Sequence, residues 1–217
     1  HEIKNPLTPI QLSAQRLKKK YMAKATDLDE TFNECVDTII NQVDDIRSLV
    51  DEFSRFARMP ESQPRPEDLH KIIDEVIALY RASHKGIEII SSYDPQINTL
   101  EFDRDQVKRL LINLIENAIQ AMNCQGKIYI TTRLLRETGF VQIDVADEGY
   151  GISPEDKDKL FLPYFSTKKG GTGLGLAIVN RIVEDHHGYV TARNRYPKGT
   201  VFSVHLPIIP TLSHKSH

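Results

Sequence analysis

Apolar and polar positions alternate in two different rhythms along this chain, and the change from one to the other divides it. Through the first sixty residues, which contain no glycine, the rhythm is helical. Ile3, Leu7, Ile10, Ala14, Leu17 and Tyr21 recur at spacings of four and three, a heptad seam. A short polar break at Lys24–Asp27 precedes a second stripe: Leu28, Phe32, Cys35, Ile39, Val43, Ile46, Val50, Phe53 and Phe56. Two antiparallel helices cannot bury both stripes alone, so the pattern predicts pairing of two hairpins into a four-helix bundle. Pro60, Pro64 and Pro66, set among polar residues, predict a linker.

From Glu67 the pattern becomes mixed. A helix is predicted near Asp68–Ser83, with Leu69, Ile72, Ile73, Val76, Ile77 and Tyr80 on one face. A strand follows at Ile87–Tyr93 and an extended piece near Leu100. Asp103 reads as the N-cap of a helix running through Met122, with Gln106 in the reciprocal position of a capping box. Strands are predicted at Lys127–Leu134 and Val141–Ala146, a helix at Leu174–Glu184, and closing strands at Tyr189–Asn194 and Val201–Leu206. The expected fold class is α+β: an N-terminal helical hairpin (1–62), then a two-layer α/β sandwich of largely antiparallel strands (63–207), then a polar tail (208–217).

Composition narrows the function classes. The 217 residues are 40% hydrophobic and 27% charged, with a net charge of −2 and the signs interspersed. No basic footprint points to nucleic acid. No apolar run approaches the roughly 18 residues that span a bilayer, and no signal peptide is visible. Cys35 and Cys124 lie far apart in no metal-like spacing, as expected of idle thiols in a reducing cytosol. The chain begins at His1, without Met and inside a predicted helix. The expectation is therefore a cytoplasmic fragment of a longer, membrane-anchored parent.

Three segments carry candidate chemistry. Gly170-Gly171-Thr172-Gly173-Leu174-Gly175-Leu176 opens directly into an apolar helix. Glycines let the backbone approach a ligand, and the unpaired N–H groups of a helix start seat phosphate. Lys168 and Lys169, just before it, could add positive charge. The segment is not a P-loop, because no Gly-Lys-Ser/Thr closes it. Nor is it the glycine-rich loop of protein kinases, since no His-Arg-Asp segment follows. On the long helix, Asn113 and Asn117 stand four residues apart and share a face. Asparagine is a poor interior helix residue, and its amide oxygen is a hard ligand suited to Mg²⁺. Glu116 beside them is a candidate base. The third segment, Asp147-Glu148-Gly149-Tyr150-Gly151-Ile152, ends a predicted strand; Asp147 can accept a hydrogen bond from an exocyclic amine, and the glycines permit a tight turn. Between it and the glycine-rich loop a fourth segment, Phe161–Thr167, reads as a movable lid with aromatic anchors.

Taken in chain order, the four segments resemble the N, G1, F and G2 boxes of the histidine-kinase catalytic domain, within the ATPase superfamily that includes gyrase, Hsp90 and MutL. His1-Glu2-Ile3-Lys4-Asn5-Pro6-Leu7 resembles the H box of that family. With Thr8-Pro9-Ile10-Gln11-Leu12-Ser13 after it, the wording is similar to NtrY-like nitrogen-regulation sensor kinases. The resemblance implies an ATP-dependent protein-histidine kinase of a two-component signalling system. His1 would accept the γ-phosphoryl group and pass it to an Asp of a response-regulator receiver domain. Glu2 would activate the imidazole, and Asn5 would orient water in a phosphatase reaction on the regulator. Asn117, with Asn113, would hold Mg²⁺. Asp147 would read the adenine amine with help from Thr200. Gly149, Gly151, Ile152, Gln120, Lys168, Lys169, Gly171, Thr172, Gly173, Leu174 and Gly175 would complete the ATP site. A homodimer through the hairpin is implied.

The residues also bear on the setting of His1. With Ile3 and Leu7 at d and a, His1 and Asn5 fall on the outer face at b and f. Pro6 and Pro9 each delete a helical hydrogen bond, predicting a helix that bends just after His1. Two other readings remain: a hydrolytic gyrase- or Hsp90-like ATPase, and a silent nucleotide-binding scaffold. The hydrolytic relatives place a water-activating Glu four residues before the metal Asn, where this chain has Asn113.

Overall fold

A computed structural model describes residues 4–22, 28–57, 60–168 and 172–208. The chain divides into two compact units, His1–Met59 with Ser166–Leu174, and Pro60–Phe165 with Gly175–His217.

The first unit is built on α1 (Lys4–Met22) and α2 (Leu28–Ala57). Helix α1 runs unbroken with Pro9 inside it. The pairing is antiparallel: Arg16 meets Glu34 at 3.2 Å, and Lys20 Nζ, further along α1, donates to Thr31 Oγ1, earlier on α2, at 2.8 Å. Thr31 and Cys35 are buried, whereas Leu7, Leu12, Phe32, Val43 and Val50 are each about half exposed. The seam read from the heptads is thus only partly an internal contact. Much of it is a surface.

In the second unit the order is β1 (Arg65–Asp68), α3 (Leu69–Ser83), β2 (Ile87–Ser92), β3 (Thr99–Phe102), α4 (Arg104–Ala121), β4 (Gly126–Leu135), β5 (Phe140–Ala146), α5 (Gly175–Asp185), β6 (Tyr189–Asn194) and β7 (Thr200–Pro207). Five strands form one sheet in the order β2-β4-β5-β7-β6. The three helices cover one face of it. Leu69, Ile72, Ile73, Val76 and Ile77 of α3, Val107, Leu110, Leu111, Leu114 and Ile115 of α4, and Val179, Ile182 and Val183 of α5 are buried. On β4 and β5, Ile128, Ile130 and Val141 are buried between more exposed neighbours, the period-2 signature of a strand packed on one side, whereas β7 is buried from Thr200 through Leu206. The architecture is the expected α+β sandwich.

One expectation is refined and two are corrected. The sheet is largely antiparallel as expected, except that β2 pairs with β4 in parallel, Ile87 opposite Gly126 through Ser92 opposite Thr131. A parallel pair needs a crossover, and α4 supplies it. The proline-rich linker is in part a strand, because β1 pairs antiparallel with β3, Pro66 opposite Glu101. Proline is tolerated there because the two-stranded ribbon leaves it an edge. The cap of α4 is half a capping box. Asp103 accepts from the backbone of Asp105 and Gln106 as read, but the Gln106 amide turns away to the carbonyl of Pro60 at 3.1 Å.

Candidate nucleotide site

Helix α4 brings the asparagines to the start of α5. Asn113 Nδ2 donates to the carbonyl of Arg109, one turn back, at 2.8 Å. That bond fixes which end of the amide is donor and turns Oδ1 outward. A Cβ on Gly175 would lie 3.1 Å from Asn113 Oδ1 and 3.7 Å from Asn117 Nδ2. The first residue of α5 therefore sits directly against both amides, and any side chain there would crowd them. Among the described residues no group of His, Cys, Asp and Glu could hold a metal. Two hard amide oxygens plus nucleotide phosphates would suit Mg²⁺, which typically takes few protein ligands.

At the far end of α4 lies the Asp147 turn. Asp147 follows β5 and is 2% exposed. Its Oδ1 accepts from the backbone N–H of Gly149 at 2.7 Å and of Thr200 at 3.1 Å, while its own N–H donates to the Thr200 carbonyl at 2.9 Å. The carboxylate is thus oriented by the first residue of β7. Gly149 lies against Ala121, and a Cβ there would come within 2.8 Å of the Ala121 carbonyl and of Asp147 Oδ1. Only glycine fits between the helix end and the carboxylate.

Two further contacts, not read from the sequence, hold this turn. Asn194 at the end of β6 grips Ile152 on both sides: its Oδ1 accepts the Ile152 N–H at 2.7 Å and its Nδ2 donates to the Ile152 carbonyl at 2.9 Å. Glu148 accepts from the Tyr129 hydroxyl at 3.0 Å and lies 3.5 Å from Arg195, whose guanidinium also stacks over the Tyr129 ring. The Tyr129 hydroxyl, then the Lys127 backbone N–H and the Arg195 charge, hold the Glu148 carboxyl below the usual carboxylate range against an opposing effect of burial. No local pattern announces these partners, which come from strands β4 and β6 far along the chain.

The structure therefore brings Asn113, Asn117 and Gly175 together, and Asp147, Gly149 and Thr200 together, with Gly151 and Ile152 held by Asn194. Glu116 it turns elsewhere: its carboxylate accepts the Tyr80 hydroxyl of α3 at 3.1 Å. That negative partner and burial, burial foremost, push the Tyr80 phenol above its ordinary range. Gln120 is exposed on α4. In the Ser166–Leu174 segment, the Ser166 hydroxyl accepts the Lys168 N–H at 3.1 Å, Thr172 Oγ1 accepts the Leu174 N–H at 3.5 Å, Gly173 has φ +67, and Leu174 is buried. His1, Glu2, Lys169 and Gly171 lie outside the described residues. Asn5 falls in the first turn of α1, with its side chain outside the description.

Comparison with known proteins gives the family. Residues 102–210 match the family described as histidine kinase-, DNA gyrase B- and HSP90-like ATPase, and residues 1–62 match the His Kinase A (phospho-acceptor) domain. The chain belongs to the sensor histidine kinases and carries their ATP-binding domain. It is 42% identical over 206 residues to nitrogen regulation protein NtrY of Azorhizobium caulinodans, covering 92% of this chain and 26% of the relative. It is 34% identical over 220 residues to the sensory histidine kinase/phosphatase NtrB of Vibrio alginolyticus, covering 96% of this chain and 60% of that one. The chain thus spans from about a quarter to three fifths of the length of these relatives. Among solved structures, histidine kinase ThkA in complex with response regulator TrrA aligns with a TM-score of 0.74 at 31% identity, covering 97% of this chain and 60% of that one. No described helix is long and apolar enough to cross a membrane.

Proposed function

We propose that this chain is the phosphotransfer core of an NtrY-like sensor histidine kinase. It binds Mg-ATP, takes the γ-phosphoryl group onto His1 and passes it to an Asp of a response-regulator receiver domain. The observation that carries the reading is a pair of preformed holds along α4, one at its middle and one beyond its C-terminal end. The Asn113 and Asn117 amides meet the start of α5, and Asp147 is locked by the backbone of Gly149 and Thr200. The first suits phosphates and a hard cation, the second an adenine amine. When bound, Mg²⁺ would neutralise phosphate charge.

The chain's own residues do the rest. Asp147 orients the base, and the amides with the first N–H groups of α5 seat the phosphates. The family resemblance adds Lys168, Lys169, Gly171, Thr172, Gly173 and Leu174 to the ATP site. A ring nitrogen of neutral His1 attacks the γ-phosphorus in line, the bond to the β–γ bridging oxygen breaks, and ADP leaves. Glu2 takes the surplus imidazole proton. We assign Glu116 no step, since its carboxylate is engaged by Tyr80. Asn5 serves a separate phosphatase reaction, orienting water toward the phosphorylated Asp of the regulator so that inorganic phosphate leaves; the NtrB relative's printed name, kinase/phosphatase, supports that role. The half-exposed apolar stripe of α1 and α2 supports a homodimer through the hairpin. The regulator bound to ThkA supports a receiver-domain partner. A cytoplasmic location goes with these partners.

Incubation with γ-labelled ATP and Mg²⁺ tests the reading. Acid-labile, base-stable label is expected, lost in His1→Gln, and nucleotide binding is expected to be lost in Asn117→Ala. Phosphate release without protein label would instead favour the hydrolytic ATPase.

A further inference from the structure

One cluster of polar side chains lies outside the nucleotide site, at the opposite end of α4 from Asp147. Gln106 is 7% exposed in the helix's first turn, beside Val107 and Leu110. Its Nε2 donates to the Pro60 carbonyl at 3.1 Å, while its buried Oε1 has no hydrogen-bond partner. An amide left half satisfied in a core is unfavourable against an aliphatic side chain of the same size. Its one bond is what it is kept for. His186, just beyond α5, is 5% exposed. Its Nδ1 lies 2.7 Å from the Ile182 carbonyl and its Nε2 receives the Asp103 N–H at 2.9 Å. These partners assign a neutral ring with its proton on Nδ1. The Ser62 hydroxyl stands 3.3 Å from the same Nε2. Asp103 itself divides its carboxylate, Oδ1 capping α4 and Oδ2 accepting the Gln63 N–H at 3.0 Å.

Pro60, Ser62 and Gln63 are thus each held by a different side chain from the start of α4 or the end of α5. We propose that residues 60–63 form a latch, and that Gln106, Asp103 and His186 are positioning residues for phosphoryl transfer. They fix the point at which the chain arriving from α2 is tied to the catalytic unit. This inference rests on the kinase reading above.

The physical effect is on tether length. The described α2 ends at Ala57 and the latch begins at Pro60, so residues 58 and 59 alone intervene. With the latch undone, the next hold is Arg65, paired with Phe102 in the β1–β3 ribbon, and residues 58–64 intervene. Fully extended, the reach grows from about 10 Å to about 28 Å. Effective concentration falls as roughly the three-halves power of tether length, so His1 and ATP would meet about fourfold less often.

The test uses the whole chain with Gln106→Leu, with Ser62→Ala, and with both combined with Asp103→Asn, whose amide oxygen still caps α4 but whose nitrogen cannot accept the Gln63 N–H. Gln106→Leu keeps the core filled, so folding is expected to survive. Hydrogen–deuterium exchange of the peptide covering residues 60–66 is expected to speed by about tenfold in the combined variant. ATP affinity should stay within about twofold of the parent, and the initial labelling rate at saturating ATP should fall about fourfold. Unchanged exchange would overturn the latch. Faster exchange with an unchanged or raised labelling rate would overturn the positioning role. If the unsubstituted chain takes no label, the kinase reading fails and the positioning role with it, while the exchange result still decides the latch.

Discussion

The two halves of this molecule solve the burial problem differently. In the second unit, three helices and a five-stranded sheet close on each other, and Leu110, Leu111, Leu114, Ile115, Ile128, Ile130 and Ile143 are fully shielded. In the first, two helices share a narrow contact line at Thr31 and Cys35 while Leu12, Phe32, Val43 and Val50 stay about half exposed. A helix pair has too little surface facing inward to cover two apolar stripes, whereas a sheet offers a broad floor to several helices at once. The sandwich is complete within one chain. The hairpin leaves apolar side chains at its surface, which is the basis of the homodimer proposed above.

This contrast can be broken by substitution, starting with the largest effect. Leu114→Ala removes a fully buried side chain of α4 and should cost about 3 kcal/mol in equilibrium urea unfolding. Leu12→Ala, 59% exposed on α1, should cost under about 0.5 kcal/mol. Equal costs would mean that the hairpin closes its core within one chain. Next, Val43→Glu should weaken self-association by about 2 kcal/mol, roughly thirtyfold, in sedimentation equilibrium. ATP affinity should not move, and an undisturbed dimer would remove α2's exposed stripe from the interface.

Smaller effects sharpen the sandwich side. Asp68 caps α3 by accepting from the N–H groups of His70 and Lys71, so Asp68→Ala should cost about 1 kcal/mol at neutral pH. The Lys71 backbone N–H foremost, with the Lys71 charge and the His70 N–H, holds this carboxyl below its ordinary value of 3.8 against an opposing effect of burial. A lowered folded-state pKa stabilises above the unfolded value and is lost as pH falls through the folded one. The gap between parent and variant should therefore be constant at neutral pH and shrink in acid below 3.8. A gap that widened in acid would reverse the assignment. Smallest of all, Tyr129→Phe deletes the hydroxyl that binds Glu148. It should weaken ATP binding by about threefold, within the usual range for one hydrogen bond, measured by titration calorimetry.

Much of this was legible in the linear order of residues. The helices α3, α4 and α5 and the closing strands fall within a residue or two of their apolar periods, because 3.6- and 2-residue rhythms each commit a segment to one face of a core. Asp103 announced the start of α4 because an N-cap is a local arrangement, settled within three residues. The asparagine pair stood out because α4 could have used better helix formers at both places. By contrast, the parallel pairing of β2 and β4 left no local trace, since strand direction depends on the route of the connection. The strand β1 was hidden by its prolines, which read as a linker until β3 is found beside it.

What the sequence determined by itself was the order of the helices and of the strands of the five-stranded sheet, the fold class and the family, all carried by periodicity and by short motifs. What only the tertiary structure decided was which partner each polar side chain took. Gln106 left its expected capping role for the Pro60 carbonyl, Glu116 turned to Tyr80, and Asn194 reached back 42 residues to hold Ile152. The apolar rhythm is set by neighbours three or four residues away and can be read along the chain. A buried amide or carboxylate must find a partner wherever the packed fold leaves one, and that is known only once the chain has closed.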